Sequence, residues 1–463
     1  MIHQTALEPG SFRDPGGRIF KSGDRILRAV MPSAAPAFEL ARQSGVLDRL
    51  VEEDRLVGFA SVSDIETVPQ LCDASHVLEH PAVPFISHPY EWSFSLLKAA
   101  ALFHLDLQID LLKDGFTLSD ATAYNVQFDG VRPQFIDHLS VRPYIEGEVW
   151  AGHRQFCMQF LNPLLMWDAL GLAPNHWFRG TLEGVAPEDL ARMLPLRKKL
   201  DWTVLTHVVA QAAMQNRKVK AGTPKAEKRG VTLPKQAFEG MLHGLRRSIT
   251  GTRNKAHNTV WGDYAGRNSY RADDALMKAQ FVAEMTRAVR PKMMYDLGCN
   301  SGDYSVAALE NGAGRVVGFD FDHGALELAY SRAQADNLAF LPLWLDAANP
   351  SPSQGWAQAE RKGLAGRAQP DAMVALAFIH HIAIGRNVPL DMATDWLVDM
   401  APVGIIEFPH KEDPMVQTLL AQREDIFPNY GNDQFRELLG QRARIVRTVD
   451  VLPTRTLYWY DRT

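Results

Sequence analysis

Tyr295-Asp296-Leu297-Gly298-Cys299-Asn300-Ser301-Gly302-Asp303-Tyr304 is the stretch on which the reading of this chain turns. An apolar run, Met293-Met294-Tyr295, leads into an acid and then into two glycines separated by three residues. Apolar positions at helical spacing follow at once: Tyr304, Val306, Ala307 and Leu309. A strand that stops at a glycine turn and opens a helix is how doubly wound sheets build a nucleotide site. The glycines let backbone approach a ligand closely and adopt positive φ. The pattern then repeats. Arg315 to Phe319 reads as a second strand ending at Asp320, 18 residues beyond Gly302, where a carboxylate can hold a pair of ribose hydroxyls. A helix pattern starts at Ala325. A third strand, Ala339 to Leu345, ends at Asp346; a fourth, Ala372 to Ala377, leads into Phe378-Ile379-His380-His381; a fifth, Val403 to Ile406, ends at Glu407. Taken singly, each acid reads as well as a solvated loop carboxylate. Three acids in register with three strands argue for a site.

The opening stretch resembles motif I of the class I S-adenosylmethionine-dependent methyltransferases, Asp/Glu-x-Gly-x-x-x-Gly. The resemblance implies an α/β fold, a doubly wound Rossmann-like sheet with an antiparallel edge hairpin, which Ala443 to Val446 and Thr456 to Tyr460 would form. It also implies residue roles. Asp296, Gly298, Cys299, Asn300 and Gly302 would surround the methionine part of the cofactor. Asp320 would bind the ribose, Asp346 with Ala347 the adenine, and Phe321 would cover the ring. A dehydrogenase is the nearest rival, but Gly298 and Gly302 do not make Gly-x-Gly-x-x-Gly. The Asn-Pro-Pro-Tyr of nucleic-base N-methyltransferases is absent, which weighs against DNA amino-group methylation. Two further runs, Asp346 to Pro352 and His380 to Leu390, resemble a bacterial group that includes nodulation-type methyltransferases.

A hydroxyl or amine acceptor needs a base. His380 and His381 stand at the end of the fourth strand, and histidine titrates near neutrality. Either also reads as a hydrogen-bonded structural histidine. The sequence does not show which faces inward, and His381 is slightly preferred. Glu407, His410 and Lys411 open a Pro-bounded loop suited to substrate contacts, and Glu407 is a third catalytic candidate. Arg423, Asp425, Phe427, Tyr430 and Phe435 read as a substrate-side lid. Trp261, Tyr264 and Tyr270 stand upstream, either closing over the cofactor or packing a helix on the sheet.

The N-terminal half carries a second pattern. Asp120-Ala121-Thr122-Ala123-Tyr124-Asn125 is followed, after an apolar strand, by Asp137. This resembles the catalytic and metal loops of protein kinase-like phosphotransferases, in which the first Asp orients a hydroxyl and the Asn and second Asp hold magnesium. A long helix pattern, Leu96 to Leu111, precedes the loop, and Arg18 to Val30 reads as a hairpin turning at Ser22-Gly23-Asp24. There are departures. Leu118 and Ser119 replace the supporting His and Arg, Arg28 stands where a phosphate-binding lysine is expected, and there is no Gly-x-Gly-x-x-Gly loop upstream. Lysine and arginine are not interchangeable as phosphate ligands. The half therefore reads as a degenerate kinase-like domain, with ATP–magnesium at Asp120, Asn125 and Asp137 as the implied ligand.

Between the halves lies a basic stretch, Arg217 to Lys255. It reads as a solvated linker, or else as a surface for an anionic partner, nucleic acid included. The domain expectation is a kinase-like accessory domain over 1–215, a basic linker over 216–254 and a methyltransferase domain over 255–463. Composition sets outer bounds. The chain has 463 residues, 46% hydrophobic, 22% charged and with net charge −5, which is ordinary globular composition without a global nucleic-acid footprint. No apolar run is long enough to span a bilayer, and the N-terminus does not read as a signal peptide. Three scattered cysteines suggest a reducing cytoplasm and no disulfide framework, and no metal-ligand spacing is evident. The expected activity is methyl transfer from S-adenosylmethionine to a small-molecule or saccharide hydroxyl. The competing readings are a bifunctional kinase–methyltransferase and a non-catalytic ligand-sensing scaffold.

Overall fold

The computed structural model describes residues 5–62, 73–214, 232–255, 272–421 and 423–463. The chain divides into two compact units. The first comprises Met1–Phe128, Arg132–Ala256 and Ser353–Lys362; the second comprises Asp129–Val131, His257–Pro352 and Gly363–Thr463.

The first unit begins with five strands, β1 (Ala6–Leu7), β2 (Gly17–Ser22), β3 (Arg25–Val30), β4 (Ala60–Ser61) and β5 (His76–His80), in the antiparallel order β1-β2-β3-β5-β4. The β2–β3 hairpin turns where the sequence predicts, with Ser22 opposite Arg25 and Gly23 at φ +59°. A two-residue hairpin turn demands that left-handed backbone. The long helix is Phe94–Lys113, capped by Ser93 and burying Leu96, Leu97, Ala100, Leu105 and Leu111. Its Gln108 accepts from Leu118 N and donates to Thr117 Oγ1, both at 2.9 Å, which fixes the strand that follows. That strand, β6 (Phe116–Leu118), pairs with β9 (Val141–Pro143), and β7 (Val126–Asp129) pairs with β8 (Arg132–Phe135).

Two boundaries differ from the sequence reading. The stretch expected as linker contains a helix, Lys235–Gly251, which buries Phe238, Leu242, Leu245 and Ile249. These recur every three or four residues, which is one face of a helix. That face packs against Phe94–Lys113, and Lys98 Nζ donates to the carbonyls of Thr250 and Thr252 at 2.8 and 2.9 Å. Arg246 pairs with Asp106 at 2.5 Å. Residues Arg217 to Arg229 and the aromatics Trp261, Tyr264 and Tyr270 lie outside the described residues. Ser353–Lys362 also departs from a contiguous C-terminal block, because it belongs to the first unit. There Glu360 pairs with Arg13 at 2.6 Å, Lys362 with Glu8 at 2.8 Å, and the Arg361 guanidinium lies 4.1 Å from the Tyr124 ring centre.

The second unit is a doubly wound sheet. Its strands are β10 (Met294–Leu297), β11 (Val316–Asp320), β12 (Phe340–Trp344), β13 (Ala372–Ala375), β14 (Val403–Pro409), β15 (Arg444–Leu452) and β16 (Arg455–Asp461). The order is β12-β11-β10-β13-β14-β16-β15. The first five are parallel, and β16 runs antiparallel to both β14 and β15. The expected edge hairpin is therefore present. Every residue of β10, β12, β13 and β14 is buried, as a parallel sheet covered on both faces requires. Strand order reverses between β10 and β13, which opens a crevice at the strands' carboxyl ends. Among the described residues no helix is long and apolar enough to cross a membrane.

The sequence ends the fifth strand too early. Glu407, Phe408 and Pro409 pair with Leu457, Thr456 and Arg455, so Glu407 lies within β14. Two residues of the expected lid, Tyr430 and Phe435, are core, while Arg423 and Asp425 are exposed. Phe435 is fully buried, and the Phe408 ring stacks on Tyr430 and Phe435 at 4.8 and 4.7 Å.

Phe238→Ala tests whether Lys235–Gly251 is integral to the first unit. Phe238 lies 6.0 Å from the Trp150 ring and is 1% exposed, so its loss should cost roughly 3–5 kcal/mol. A denaturation midpoint equal to that of the wild type would return the segment to the status of a linker.

Candidate functional site

A cavity of about 1410 Å³, lined wholly by the second unit, lies where four parallel strands end. β10 supplies Gly298 and Asn300, β11 Asp320 and Phe321, β12 Asp346 and Ala347, and β13 Phe378, His380 and His381.

Local backbone explains the first of these groups. Gly298 and Gly302 have φ of +78° and +85°, and Asn300 has +49°. Glycine takes that conformation freely, and asparagine tolerates it better than other side chains. Space imposes a second limit. A Cβ at Gly302 would come within 2.5 Å of the Phe340 ring, and one at Gly298 within 3.1 Å of Phe378. The turn is then pinned from the neighbouring strand, because Asp320 accepts Asn300 N at 2.9 Å through one oxygen and Asp322 N at 2.9 Å through the other. Burial nevertheless raises the Asp320 pKa to about 6 against these bonds. The Phe321 backbone bonds it as well, and since a carboxylate has about four lone-pair sites, about one remains for a hydroxyl of a ligand.

The predicted cofactor residues divide between the cavity wall and its foundation. Asn300, Gly298, Asp320, Phe321, Asp346 and Ala347 line the cavity. Phe321 is 54% exposed, and its carbonyl accepts Trp344 Nε1 at 3.0 Å. Asp346 accepts Ala348 N at 3.1 Å and lies 3.4 Å from Arg386. Asp296, Cys299 and Gly302 do not line it. Asp296 is 1% exposed and accepts Ser305 Oγ at 2.6 Å, tying β10 to the following helix. Burial raises its pKa to about 7 and pushes the Cys299 thiol well above its usual range.

The two histidines stand on a short helix, Ile379–Ala383, with ring centres 4.1 Å apart. Both line the cavity. His380 is 1% exposed, and neither of its ring nitrogens has a hydrogen-bond partner among the described residues. Burial holds its pKa well below the usual value, and lowers that of His381 to about 4. Both are neutral imidazoles at pH 7, the form that accepts a proton.

Glu407 departs from its predicted role. It is fully buried in β14, and its oxygens lie 2.8 Å from Lys278 Nζ, 2.8 Å from Ala377 N and 3.3 Å from Arg455 Nη1. Arg455 in turn clasps Asp413 through two bonds of 2.6 and 2.9 Å. Two cations and two carboxylates thus neutralise one another beside the cavity, and Glu407 is a structural hub without access to it. His410 bonds Thr456 Oγ1 at 2.9 Å and Lys411 pairs with Asp425 at 2.7 Å, while the neighbouring Glu412, Asp413 and Met415 reach the cavity. Lys278 went unnoticed in the sequence. Its signal was a lysine among Ala275, Ala279 and Val282 on the apolar face of the helix Ala272–Val289.

In the first unit, Asn125 Nδ2 donates to Asp137 Oδ2 at 3.3 Å, and the charge of Asp137 helps burial to raise the Asp120 pKa. The three predicted residues therefore share one locality. Arg28 on β3 joins them, pairing with Asp137 at 2.7 Å, and Ser140 Oγ donates to the same carboxylate. Active phosphotransferases of this kind pair their β3 lysine with a helix glutamate. Here Glu39 of the following helix pairs with Arg42 and His76 instead. A guanidinium thus holds the carboxylate that would ligate magnesium, and the residues present do not fit ATP–magnesium in this arrangement.

Glu407→Gln should leave Lys278 and Arg455 short of a buried countercharge and cost about 3–5 kcal/mol, read as a lower urea midpoint. A midpoint unmoved by the substitution would contradict the hub.

No protein-family model matches the chain. It is 48% identical over 460 residues to nodulation protein NoeA of Rhizobium meliloti (strain 1021), covering 98% of this chain and 95% of that one. It is 30% identical over 158 residues to the ribosomal protein L11 methyltransferase of Aeromonas salmonicida (strain A449), covering 33% of this chain and 46% of that one. The crystal structure of WbdD matches with a TM-score of 0.30 at 22% identity, covering 44% of each chain. The chain belongs to the family of nodulation protein NoeA, and its second unit is a doubly wound α/β sheet closed by an antiparallel edge hairpin.

Proposed function

We propose that the second unit transfers a methyl group from S-adenosylmethionine to a hydroxyl of a small molecule or saccharide. The first unit would be a degenerate kinase-like accessory that aids substrate binding or regulation. The observation that carries the reading is the meeting of Asn300, Asp320, Asp346 and His380 on one cavity at the carboxyl ends of parallel strands. Kinship with a nodulation protein supports a role in nodulation.

The residues present fit the cofactor. Gly298 and Asn300 offer close-approaching backbone for its methionine end. Asp320 keeps acceptor capacity for a ribose hydroxyl. Asp346 and Ala347 suit the adenine edge, and Phe321 offers an exposed ring to cover it. When bound, S-adenosylmethionine supplies an already electrophilic methyl group, so positioning of the acceptor does much of the catalytic work. His380, whose ring nitrogens have no partner among the described residues, is the candidate base for the acceptor's hydroxyl proton, and the burial that lowers its pKa has to be offset when the acceptor binds. His381, half-buried beside it, is the second candidate.

Titration calorimetry with S-adenosylhomocysteine tests the reading, with ATP–magnesium run in parallel. Micromolar binding of the homocysteine compound is expected. Asp320→Ala should weaken it by about 2–3 kcal/mol, since a charged hydrogen-bond acceptor is lost. The ionised form of Asp320 is the better hydroxyl acceptor, and its pKa is raised to about 6. Affinity should therefore be full above pH 7 and fall as pH drops through about 6. Unchanged affinity in Asp320→Ala would remove the cofactor assignment. Tight ATP–magnesium binding abolished by Asp137→Asn would favour the bifunctional reading instead. With an acceptor found by panel, His380→Gln should lower turnover about 100-fold or more while leaving homocysteine-compound affinity intact. Binding without transfer to any acceptor would favour the ligand-sensing scaffold.

A further inference from the structure

Far in sequence from the cavity, the first unit brings together His153, Cys157 and His207. His153 opens the helix His153–Phe156, and Cys157 opens the π turn Cys157–Leu161 that continues it. His207 sits in a second π turn, Leu205–Val209. Single π turns inside helices are uncommon and recur at functional sites. Here two of them each contribute one of the three side chains.

The geometry is close. The candidate ligand atoms all lie within 4.8 Å of one another. His153 Nε2 is 3.7 Å from Cys157 Sγ and 2.8 Å from His207 Nδ1. Tetrahedral zinc, with its bond lengths of about 2.0 Å to nitrogen and 2.3 Å to sulfur, sets a nitrogen–sulfur separation of roughly 3.6 Å and a nitrogen–nitrogen separation of roughly 3.3 Å. His153 and Cys157 already meet the first, His207 Nδ1 lies within 4.8 Å of the sulfur, and the second needs the imidazoles to part by about half an ångström. Gln211, one turn beyond His207, donates Nε2–H to His153 Nδ1 at 3.1 Å and to Cys157 Sγ at 3.5 Å. Its Oε1 is buried with no hydrogen-bond partner among the described residues. Rotating that amide would let Oε1 accept a proton on His153 Nδ1, which frees Nε2 as a ligand. Outer hydrogen bonds of this kind orient metal-bound histidines.

We propose that His153 Nε2, Cys157 Sγ and His207 Nδ1 form a site for a zinc-type divalent cation, with Gln211 orienting His153 and a fourth position left to water. Imidazole and thiolate together select such an ion over magnesium or calcium. On binding, the thiol proton is released to solvent, and the metal–sulfur bond replaces the hydrogen bond from Gln211. The metal would clamp the helix that carries His153 and Cys157 to the one that carries His207, far in sequence from the residues assigned to methyl transfer.

The test uses the full-length chain freed of metal by chelator. Zinc is titrated against a chromophoric competitor, cobalt is added in a parallel experiment, and thermal midpoints are read with and without zinc. The expected result is one zinc bound with micromolar or tighter affinity, a thiolate-to-cobalt charge-transfer band, and a raised midpoint. Cys157→Ser should lose the band, and both Cys157→Ser and His207→Gln should weaken zinc at least about 10-fold. His207 is only half-buried, so His207→Gln keeps the test meaningful should the Cys157→Ser variant fail to fold. Absence of the cobalt band in wild-type protein, or equal zinc affinity in wild type and His207→Gln, would overturn the proposal.

Discussion

A single carboxylate holds together the strand ends and turns beside the cavity of the second unit. Glu407 lies within β14, yet its two oxygens reach a helix through Lys278, the turn after β13 through Ala377 N, and β16 through Arg455. Arg455 extends the link to Asp413, where the next helix begins. Ala377 itself has φ +49°, a conformation disfavoured for a residue with a side chain. A buried charge that bonds its amide gives that turn a reason to persist, and the turn aims Phe378 and the His380–His381 helix at the cavity. Desolvating four charges is expensive and is offset only because each meets an opposite charge at bonding distance.

The side of the cavity walled by the ends of β10, β11 and β12 rests on a different constraint. Strand order reverses beside β10, so the turn after β10 and the ends of β11 and β12 converge on one crevice. Asp320 bonds the amide of Asn300 and so couples the glycine turn to the neighbouring strand. Its raised pKa reflects burial, and its remaining lone-pair site is what a ligand hydroxyl can use. Foundation and wall are distinct here. Asp296 carries the motif's acid but spends its carboxylate on Ser305, whereas Asp320 faces the cavity.

The first unit brings Asp120, Asn125 and Asp137 into one locality and ties their charges to Arg28. Arg28 pairs with Asp137, and Glu39 pairs elsewhere. The same unit holds two π turns whose His153, Cys157 and His207 make a cluster with a different chemical character, rich in nitrogen and sulfur. The i and i+4 spacing of His153 and Cys157 was open to inspection in the sequence, but His207 joins them only through folding.

Local physics made much of this protein legible from its residues alone. Alternating strands and glycine turns announced the doubly wound sheet, and Asp320, Asp346, His380 and His381 were readable because strand ends are local events. The β2–β3 hairpin was readable for the same reason, since Gly23 serves a turn of two residues. What remained hidden depended on pairing across long sequence separations. Whether β14 ended at Glu407 was decided by β16, which extends the ladder to Pro409. Tyr430 and Phe435 looked like a lid until Phe408 stacked on both. Lys235–Gly251 looked like linker because its positive charges dominate, while its four buried apolar side chains take meaning only against Phe94–Lys113. Sequence alone therefore determined the sheet and the acids at its strand ends. Tertiary structure decided which acids face the cavity and which stand beneath it, because burial and ion pairing are properties of neighbours that the chain brings together only on folding.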